Sequence, residues 1–322
     1  MKRVLAAAVT VIMLFCLAAC NRQTPEQLNG FAMDTRISVS VYGDGGKYTA
    51  SECLNAVSEL ENIISWNIEQ SDTSALNSTG SVESKTLADI ISPVLSLTAD
   101  TNGVYSLAVR EICALWDVTS DNPRIPDYDK IKDVLSRTGG VPQVDGDTVS
   151  LPEGHKLDLG SVGKGAACDM VAEILNEKGA SGIAAIGSSL ALCGQKPDGK
   201  KWVVIVAHPD NRNGSVGTLS LDGGTFVSTS GDSARGFTVD GVRYHHIISA
   251  VSGYPARTGL RSVTVISDSG VLSDALSTAC YLVGYEKACL LLEKYGAEAV
   301  FVTDSLDVIC TSGIEDRFEV ER

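Results

Sequence analysis

Phe237-Thr238-Val239-Asp240-Gly241-Val242-Arg243-Tyr244-His245-His246 is the stretch that decides the fold class. Two short runs containing β-branched and aromatic residues flank Asp-Gly, the pair that accepts positive φ at both centres of a two-residue hairpin turn. The flanking strands therefore pair antiparallel. Upstream, Trp202-Val203-Val204-Ile205-Val206-Ala207 is an apolar strand, and Asp222-Gly223-Gly224 divides two alternating segments. Downstream come a strand at Arg261–Ile266 and a last strand pair around Ala299–Val302 and Val308-Ile309. Helical segments interrupt these strands after Gly165, after Ser273 and before the final pair. Runs of strands with helices set apart from them indicate an α+β fold, with mixed or antiparallel sheets and inserted helices, rather than a doubly wound parallel sheet.

The N-terminal half is more helical. Arg36–Tyr42 alternates as a half-buried strand, and Tyr48–Ile64 carries a helical apolar spacing. Further helices are expected over Thr86–Ala99 and Asp127–Arg137, with the polar segment Thr119–Pro126 as the loop between them. Before these, Lys2 and Arg3 precede an uncharged run from Val4 to Ala19, shorter than the roughly 20 residues that span a bilayer. Residues 1–19 read as a signal peptide. Leu17-Ala18-Ala19-Cys20 resembles the bacterial lipobox, which makes Cys20 the lipid-bearing first residue, residues 20–30 a tether and 31–322 the folded domain. A signal peptide cut elsewhere, or an uncleaved anchor, is the alternative. The lipobox reading places the protein lipid-anchored on the extracytoplasmic side of the cell membrane, and the compartment is extracytoplasmic in each case.

Composition narrows the chemistry. The 322 residues are 44% hydrophobic and 20% charged, enough for a sizeable core. A net charge of -14 repels polyanions, so nucleic-acid binding is not expected. Nine cysteines form no CxxC pair and only four histidines are present, which argues against zinc ribbons and thioredoxin-type sites.

Three constellations carry chemistry. In the first, Leu157-Asp158-Leu159-Gly160-Ser161-Val162-Gly163-Lys164-Gly165-Ala166-Ala167-Cys168-Asp169, a strand passes through a glycine-rich turn into a helix that ends at Lys178-Gly179. Backbone N–H groups and Lys164 can meet an anion there, although the spacing is neither Walker A nor G-x-G-x-x-G, and an ordinary tight turn reads equally well. In the second, a helix starting at Ser273 places Asp274, Ser277 and Thr278 on one face near its first turn, a set of hard oxygen donors suited to Mg2+. The alternative there is Ser273 as N-cap, with Asp274 an exposed carboxylate favoured by the helix dipole. The third joins Thr229-Ser230-Gly231-Asp232 to Tyr244-His245-His246-Ile247-Ile248 and Ser252-Gly253-Tyr254-Pro255. Adjacent strand residues face opposite ways, so one histidine of the pair at most enters a site, as a general base or as a structural group.

Together these segments resemble the ApbE family of FAD:protein FMN transferases. The likeness runs from Met33 to about Tyr295, through Phe31–Thr35, Ser65-Trp66-Asn67 to Ser71, Leu76-Asn77, Leu115-Trp116, Leu157–Asp169, Thr229–Asp232, His246–Ile248 and Ser273–Thr278. It implies a two-lobed, T-fold-like architecture and an exported, often lipid-anchored enzyme. The reaction implied uses Mg2+ to cleave FAD and attaches FMN through a phosphoester to a Thr or Ser hydroxyl of an acceptor flavoprotein, with release of AMP. That acceptor would be a domain of an exported or membrane redox protein.

Residue by residue, the resemblance puts Mg2+ on Asp274 and Thr278, with Ser277 nearby and the carbonyl of Ser161 completing the protein ligands. Asp158 and Lys164 would contact FAD. Met33, Trp66, Asn67, the Val104-Tyr105-Ser106 turn and Ile248 would line the flavin or adenosine pocket. His246 matches the histidine of the catalytic region, with Asp232 the other candidate base. The chain departs from the family pattern in having Ser249-Ala250 for Asp-Pro, Ser252 for Thr, Ser106 for Asp, and Ala185, Ser188 and Ser189 within an Asn-x-Gly-Gly-Asp segment. Two other functions share these features: an FAD pyrophosphatase yielding FMN and AMP, and a non-catalytic flavin-binding lipoprotein.

Overall fold

The computed structural model describes residues 24–233 and 235–321. Strands β1 (Glu26–Ala32) and β2 (Thr35–Tyr42) are followed by helices α1 (Gly46–Ile64) and α2 (Asp72–Thr79), the short strand β3 (Ser81–Glu83), and helices α3 (Lys85–Ile91) and α4 (Leu95–Asp100). Helices α5 (Arg110–Trp116) and α6 (Tyr128–Leu135) lead to strands β4 (Gln143–Asp145) and β5 (Thr148–Ser150) and then to α7 (Gly163–Glu177). Next come β6 (Ser181–Ile186), β7 (Ser189–Cys193), β8 (Trp202–His208), β9 (Asn211–Leu221), β10 (Thr225–Gly231), and the hairpin β11 (Gly236–Val239) and β12 (Val242–His245). The chain closes with β13 (Leu260–Ser267), α8 (Gly270–Val283), α9 (Tyr285–Tyr295), β14 (Glu298–Thr303), β15 (Val308–Cys310) and β16 (Phe318–Val320).

Eight strands form one antiparallel sheet in the order β1-β2-β6-β7-β10-β13-β14-β15. Alternation decides which layer each side chain joins. Ala184, Val263, Val265, Ala299 and Phe301 join the large helical core, where α1 contributes Cys53, Val57, Leu60 and Ile64 and α7 contributes Val171 and Leu175. Their neighbours Ile183, Ile266, Val300 and Val302 point the other way, onto Trp202, Val204, Val206, Leu219 and Leu221 of the three-stranded sheet β16-β9-β8. Full burial of each such aliphatic side chain contributes about 1.5–3 kcal/mol. A separate small core joins α5, α6 and the β11–β12 hairpin around Ile112, Trp116, Ile131 and Ile248, and forms the second, minor lobe. Among the described residues no helix is long and apolar enough to cross a membrane.

The α+β reading holds, and so does the hairpin: Val239 pairs with Val242, and Asp240 and Gly241 take φ of 49° and 76°. Four expectations need correction. Leu157–Leu159, expected as a strand leading into the glycine-rich turn, joins no sheet among the described residues, because the Leu157 backbone bonds to the Asn77 side chain and the Asp158 N–H to the Leu107 carbonyl. Thr86–Ala99 is not one helix, because Pro93 lacks an N–H and crowds the preceding turn; α3 stops at Ile91, and a 3₁₀ turn at Ser92–Val94 leads into α4. Order begins before Phe31, since β1 starts at Glu26, paired with Val41, and takes in part of the segment read as tether. Helix α8 starts at Gly270 with Ser269 as its N-cap, so Ser273 is not the cap and Asp274 lies inside the helix. The signal segment and Cys20 lie outside the described residues.

Candidate active site

The glycine-rich turn is fixed by backbone bonds before any ligand is considered. Asn77 accepts from the Leu157 N–H at 2.6 Å and donates to its carbonyl at 3.0 Å, and the Asp158 N–H donates to the Leu107 carbonyl at 2.8 Å. The Asp158 carboxylate then accepts from the Gly160 N–H at 2.8 Å, and the Val162 and Gly163 N–H groups both return to the Leu159 carbonyl. This winds the chain into α7, which has no side-chain cap of its own.

Asp274 supplies what α7 lacks. Its carboxylate accepts from the Gly165 N–H at 3.0 Å and from Lys164 Nζ at 3.1 Å to each oxygen, with Ser189 Oγ at 3.4 Å. Its side chain is 2% exposed and that of Lys164 22%. Asp274 is therefore not the exposed helix-start carboxylate that the sequence alone allowed. Glycine at 165 is required here, because a Cβ would lie 2.1 Å from the Gly270 carbonyl oxygen and 2.8 Å from the Asp274 Cβ. The two helices cross almost backbone to backbone.

Around the carboxylate lies a cluster of hydroxyls. Ser230 Oγ is 2.8 Å from Ser277 Oγ and 2.9 Å from Thr278 Oγ1, and Ser228 Oγ joins Ser189 and Ser273 at 3.0 and 2.9 Å. Ser277 is wholly buried and donates to the Asp274 carbonyl at 2.8 Å, so it braces the helix, while Thr278 is half-buried. Ser161 shares a 3.1 Å hydrogen bond with the Tyr105 hydroxyl, and burial, together with the Asp274 charge, pushes that phenol up. A single buried carboxylate among hydroxyls and carbonyls is a hard-oxygen set; among the described residues there is no cluster of three His, Cys, Asp or Glu.

Cations ring the other side of the turn. Burial raises the Asp158 carboxyl, opposed by the Gly160 N–H and by Arg110, Arg235 and Lys164. The Arg110 guanidinium lies 3.5 Å from the Trp66 ring centre. Arg235 is ion-paired to Asp34 at 2.9 Å, next to Met33, whose N–H donates to Glu61 at 2.8 Å. Neither arginine was singled out from the sequence, because their partners lie far away along the chain.

The histidine pair divides as strand geometry requires. His245 is buried, with Nε2 2.8 Å from the Ala256 carbonyl oxygen and 3.4 Å from the Tyr281 hydroxyl. His246 is partly exposed, with Nδ1 3.2 Å from the Arg235 carbonyl oxygen, and burial aided by Arg235 lowers its imidazole to about 4. Asp232 is bound by Arg261 at 3.0 Å and is not free to act as a base.

Several expected pocket residues have structural contacts of their own. Ser106 accepts from the Ala108 N–H at 3.0 Å and donates to the Gly140 carbonyl at 3.3 Å, and Ile248 is buried in the small core with Trp116. Val104 accepts from the Ala250 N–H at 3.0 Å, and Asn67 is exposed beside Trp66. Ser249, at the usual Asp, accepts from the N–H groups of Val251 and Ser252 at 3.3 Å each, making the turn that a short acid also makes.

Comparison with known proteins gives a consistent result. The profile of the ApbE family matches residues 33–301. The FAD:protein FMN transferase of Treponema pallidum is 30% identical over 292 residues, covering 84% of this chain and 81% of that protein. The Salmonella typhimurium FAD:protein FMN transferase is 28% identical over 331 residues, covering 94% and 93%. Among solved structures, the ApbE protein of Thermotoga maritima superposes with a TM-score of 0.84 at 28% identity, covering 91% of this chain and 99% of that one. The Pseudomonas stutzeri flavinyl transferase ApbE gives 0.80 at 26% identity, covering 93% and 98%.

Proposed function

The chain belongs to the ApbE family, and from that premise we propose that it is an FAD:protein FMN transferase, dependent on Mg2+, acting on a Thr or Ser of an acceptor flavoprotein. The observation that carries this is the convergence of Lys164, the Gly165 N–H and the Ser189 hydroxyl on the buried Asp274 carboxylate, with the Thr278 hydroxyl against the backbone carbonyl of the same residue and bonded to Ser230. Mg2+ is commonly held by one or two carboxylates, with water and substrate phosphate completing its shell, and this donor set fits that pattern. Asp274 and Thr278 would hold the ion, with the Ser161 carbonyl at the facing turn and Ser277 behind. Bound there, the ion supplies charge neutralisation at the pyrophosphate.

The chain's own residues do the rest. Lys164 can turn an N–H from Asp274 to a phosphate oxygen, and the half-open turn places positive charge around Asp158 that an acidic protein otherwise lacks. The acceptor hydroxyl oxygen attacks the FMN phosphorus, the bond to the bridging oxygen breaks, and AMP leaves with the electron pair. With Nδ1–H donating to the Arg235 carbonyl, His246 keeps the Nε2 lone pair for the proton that the acceptor loses.

Incubation of the purified protein with FAD, Mg2+ and a Thr-containing flavoprotein domain tests this reading. The expected products are AMP and a flavin that stays on the acceptor after denaturation. AMP with no covalent flavin would establish the pyrophosphatase instead, and FAD binding with no AMP the non-catalytic binder. We further propose that Cys20 anchors the protein on the outer face of the cell membrane. Lipid labelling should disappear in Cys20→Ala, and persistent labelling would rule the anchor out.

A further inference from the structure

We propose that Asp169 is a positioning residue, which fixes Asp274 from the opposite helix; the inference rests on the reading of Asp274 as the metal-holding carboxylate. Asp169 lies in the second turn of α7, and its carboxylate reaches across to the first turn of α8. Its Oδ1 accepts from the Gly270 N–H at 2.6 Å and its Oδ2 from the Val271 N–H at 2.8 Å. Ser269 Oγ takes the Leu272 N–H at 3.3 Å and stands 3.5 Å from Asp169 Oδ2. The first three donors of α8 are thereby satisfied, two of them by another helix.

The exchange is reciprocal. Asp169 of α7 receives the leading N–H groups of α8, and Asp274 of α8 receives the Gly165 N–H of α7. Between the two bonds, Gly165 and Gly270 touch so closely that a Cβ on either would come within 2.1 or 2.2 Å of the other's carbonyl oxygen. The two capping bonds have different fates when a cation and a phosphate enter. Asp274 must then share its oxygens, which weakens its hold on Gly165 and Lys164. Asp169 faces the Gly270 and Val271 N–H groups and the Ser269 hydroxyl, and keeps the helices docked while that sharing occurs. It touches neither the reacting atoms nor the ion and acts through the position of Asp274.

The test uses the full chain with Mn2+ alone, followed by electron paramagnetic resonance, together with amide hydrogen exchange. Asp169→Asn keeps the side-chain size but turns an amide group toward one of the two donors. Mn2+ affinity should fall ten- to a hundredfold, the range for losing a group that orients a metal ligand, and exchange should quicken at Gly165 and over residues 270–274. Should Asp169→Asn fail to fold, Asp169→Glu takes its place, with a severalfold fall expected. Ser84→Ala, which removes the N-cap of α3 away from this pair, should leave Mn2+ affinity unchanged. Unchanged affinity in the Asp169 variant, or an equal fall in Ser84→Ala, overturns the proposal. If the wild-type chain binds no Mn2+, it is the metal reading of Asp274 that fails. The Gly165 amide then decides: faster exchange in Asp169→Asn supports the cross-docking, and an unchanged rate overturns it.

Discussion

The α7–α8 pair and the small lobe around Trp116 sit on two sides of one site and are built by opposite means. The helix pair is locked by buried charge and backbone contact: Asp274 on Gly165 and Lys164, Asp169 on Gly270 and Val271, and a glycine at each face of the crossing. The small lobe is held by rings. Trp116 stacks on Tyr244 at 5.6 Å, meets Tyr254 edge-on at 5.7 Å and donates Nε1–H to the Gly253 carbonyl at 2.7 Å, while Phe237 stacks on Tyr244 at 5.5 Å. Buried ionic groups fix positions and tolerate no displacement, whereas stacked aromatics supply area and allow repacking. On the proposed reaction, the anion-holding half of the chemistry would fall to the rigid pair and the proton-accepting half, at His246, to the side of the adaptable lobe.

Breaking the rigid side should have the largest effect. Asp274→Ala removes the only carboxylate of the hydroxyl cluster, and turnover should fall by about a thousandfold or more. Because Asp274 is buried, the same change leaves Lys164 and the Gly165 N–H without their partner. The melting temperature should drop, by an amount equivalent to about 2–3 kcal/mol, at or just below the low end of the roughly 3–5 kcal/mol for breaking a buried pair, since Lys164 is partly exposed. Normal activity, or normal activity in EDTA, would refute the metal assignment. Lys164→Ala keeps Asp274 but loses a preorganised cation, and kcat should fall about a hundredfold with the fold retained.

A matched pair of glycine changes compares the two regions directly. Gly165→Ala forces a methyl into the Gly270 carbonyl, so the helices must separate and stability should fall by about 3 kcal/mol. Gly241→Ala at the hairpin tip meets nothing within 4 Å and suffers only from its φ of 76°, a cost of about 1 kcal/mol confined to the turn. Calorimetry on both variants decides; equal losses would mean that the helix crossing is looser than its geometry states.

What the sequence disclosed and what it hid follow the same divide. The Asp240-Gly241 turn, the α1 helix and the glycine turn leading into α7 were legible because their causes lie within a few residues of one another, whereas Leu157–Leu159, read as a strand, is held by the distant Asn77 and Leu107 and joins no sheet among the described residues. Asp274, Ser277 and Thr278 were legible as one face, for helical spacing is local. Their burial was not, because it comes from α7, more than a hundred residues upstream. The start of α8 was misplaced for a related reason: Ser273 alone was read as the cap, and the Asp169 carboxylate on the Gly270 and Val271 N–H groups shows that these lie first in the helix. Arg110 and Arg235 were missed since an arginine in a loop or at a helix start carries no local sign of the charge it faces. The replacement of acids by Ser106, Ser189 and Ser249 was visible, but not that two of these hydroxyls make turns and the third reaches Asp274.

The adaptable side is sharpened by a smaller, pH-dependent effect. Burial holds the His246 imidazole at about 4 rather than its ordinary 6.5, with Arg235 and Lys164 pressing the same way and the Arg235 carbonyl opposing. Protonation removes the Nε2 lone pair, so the base is lost only as pH falls through the lowered value. Between about pH 5.5 and pH 8 the transfer rate should change by less than about twofold, with an acid limb near 4. Asp158, whose carboxyl is raised by burial, is the other group able to contribute an acid limb. The variant His246→Asn separates them, because a limb that survives it belongs to Asp158 and one that vanishes along with most of the activity belongs to His246. A midpoint near 6.5 in the wild-type protein would show the imidazole to be solvated, and would move the proton acceptor away from the desolvated pocket beside Arg235.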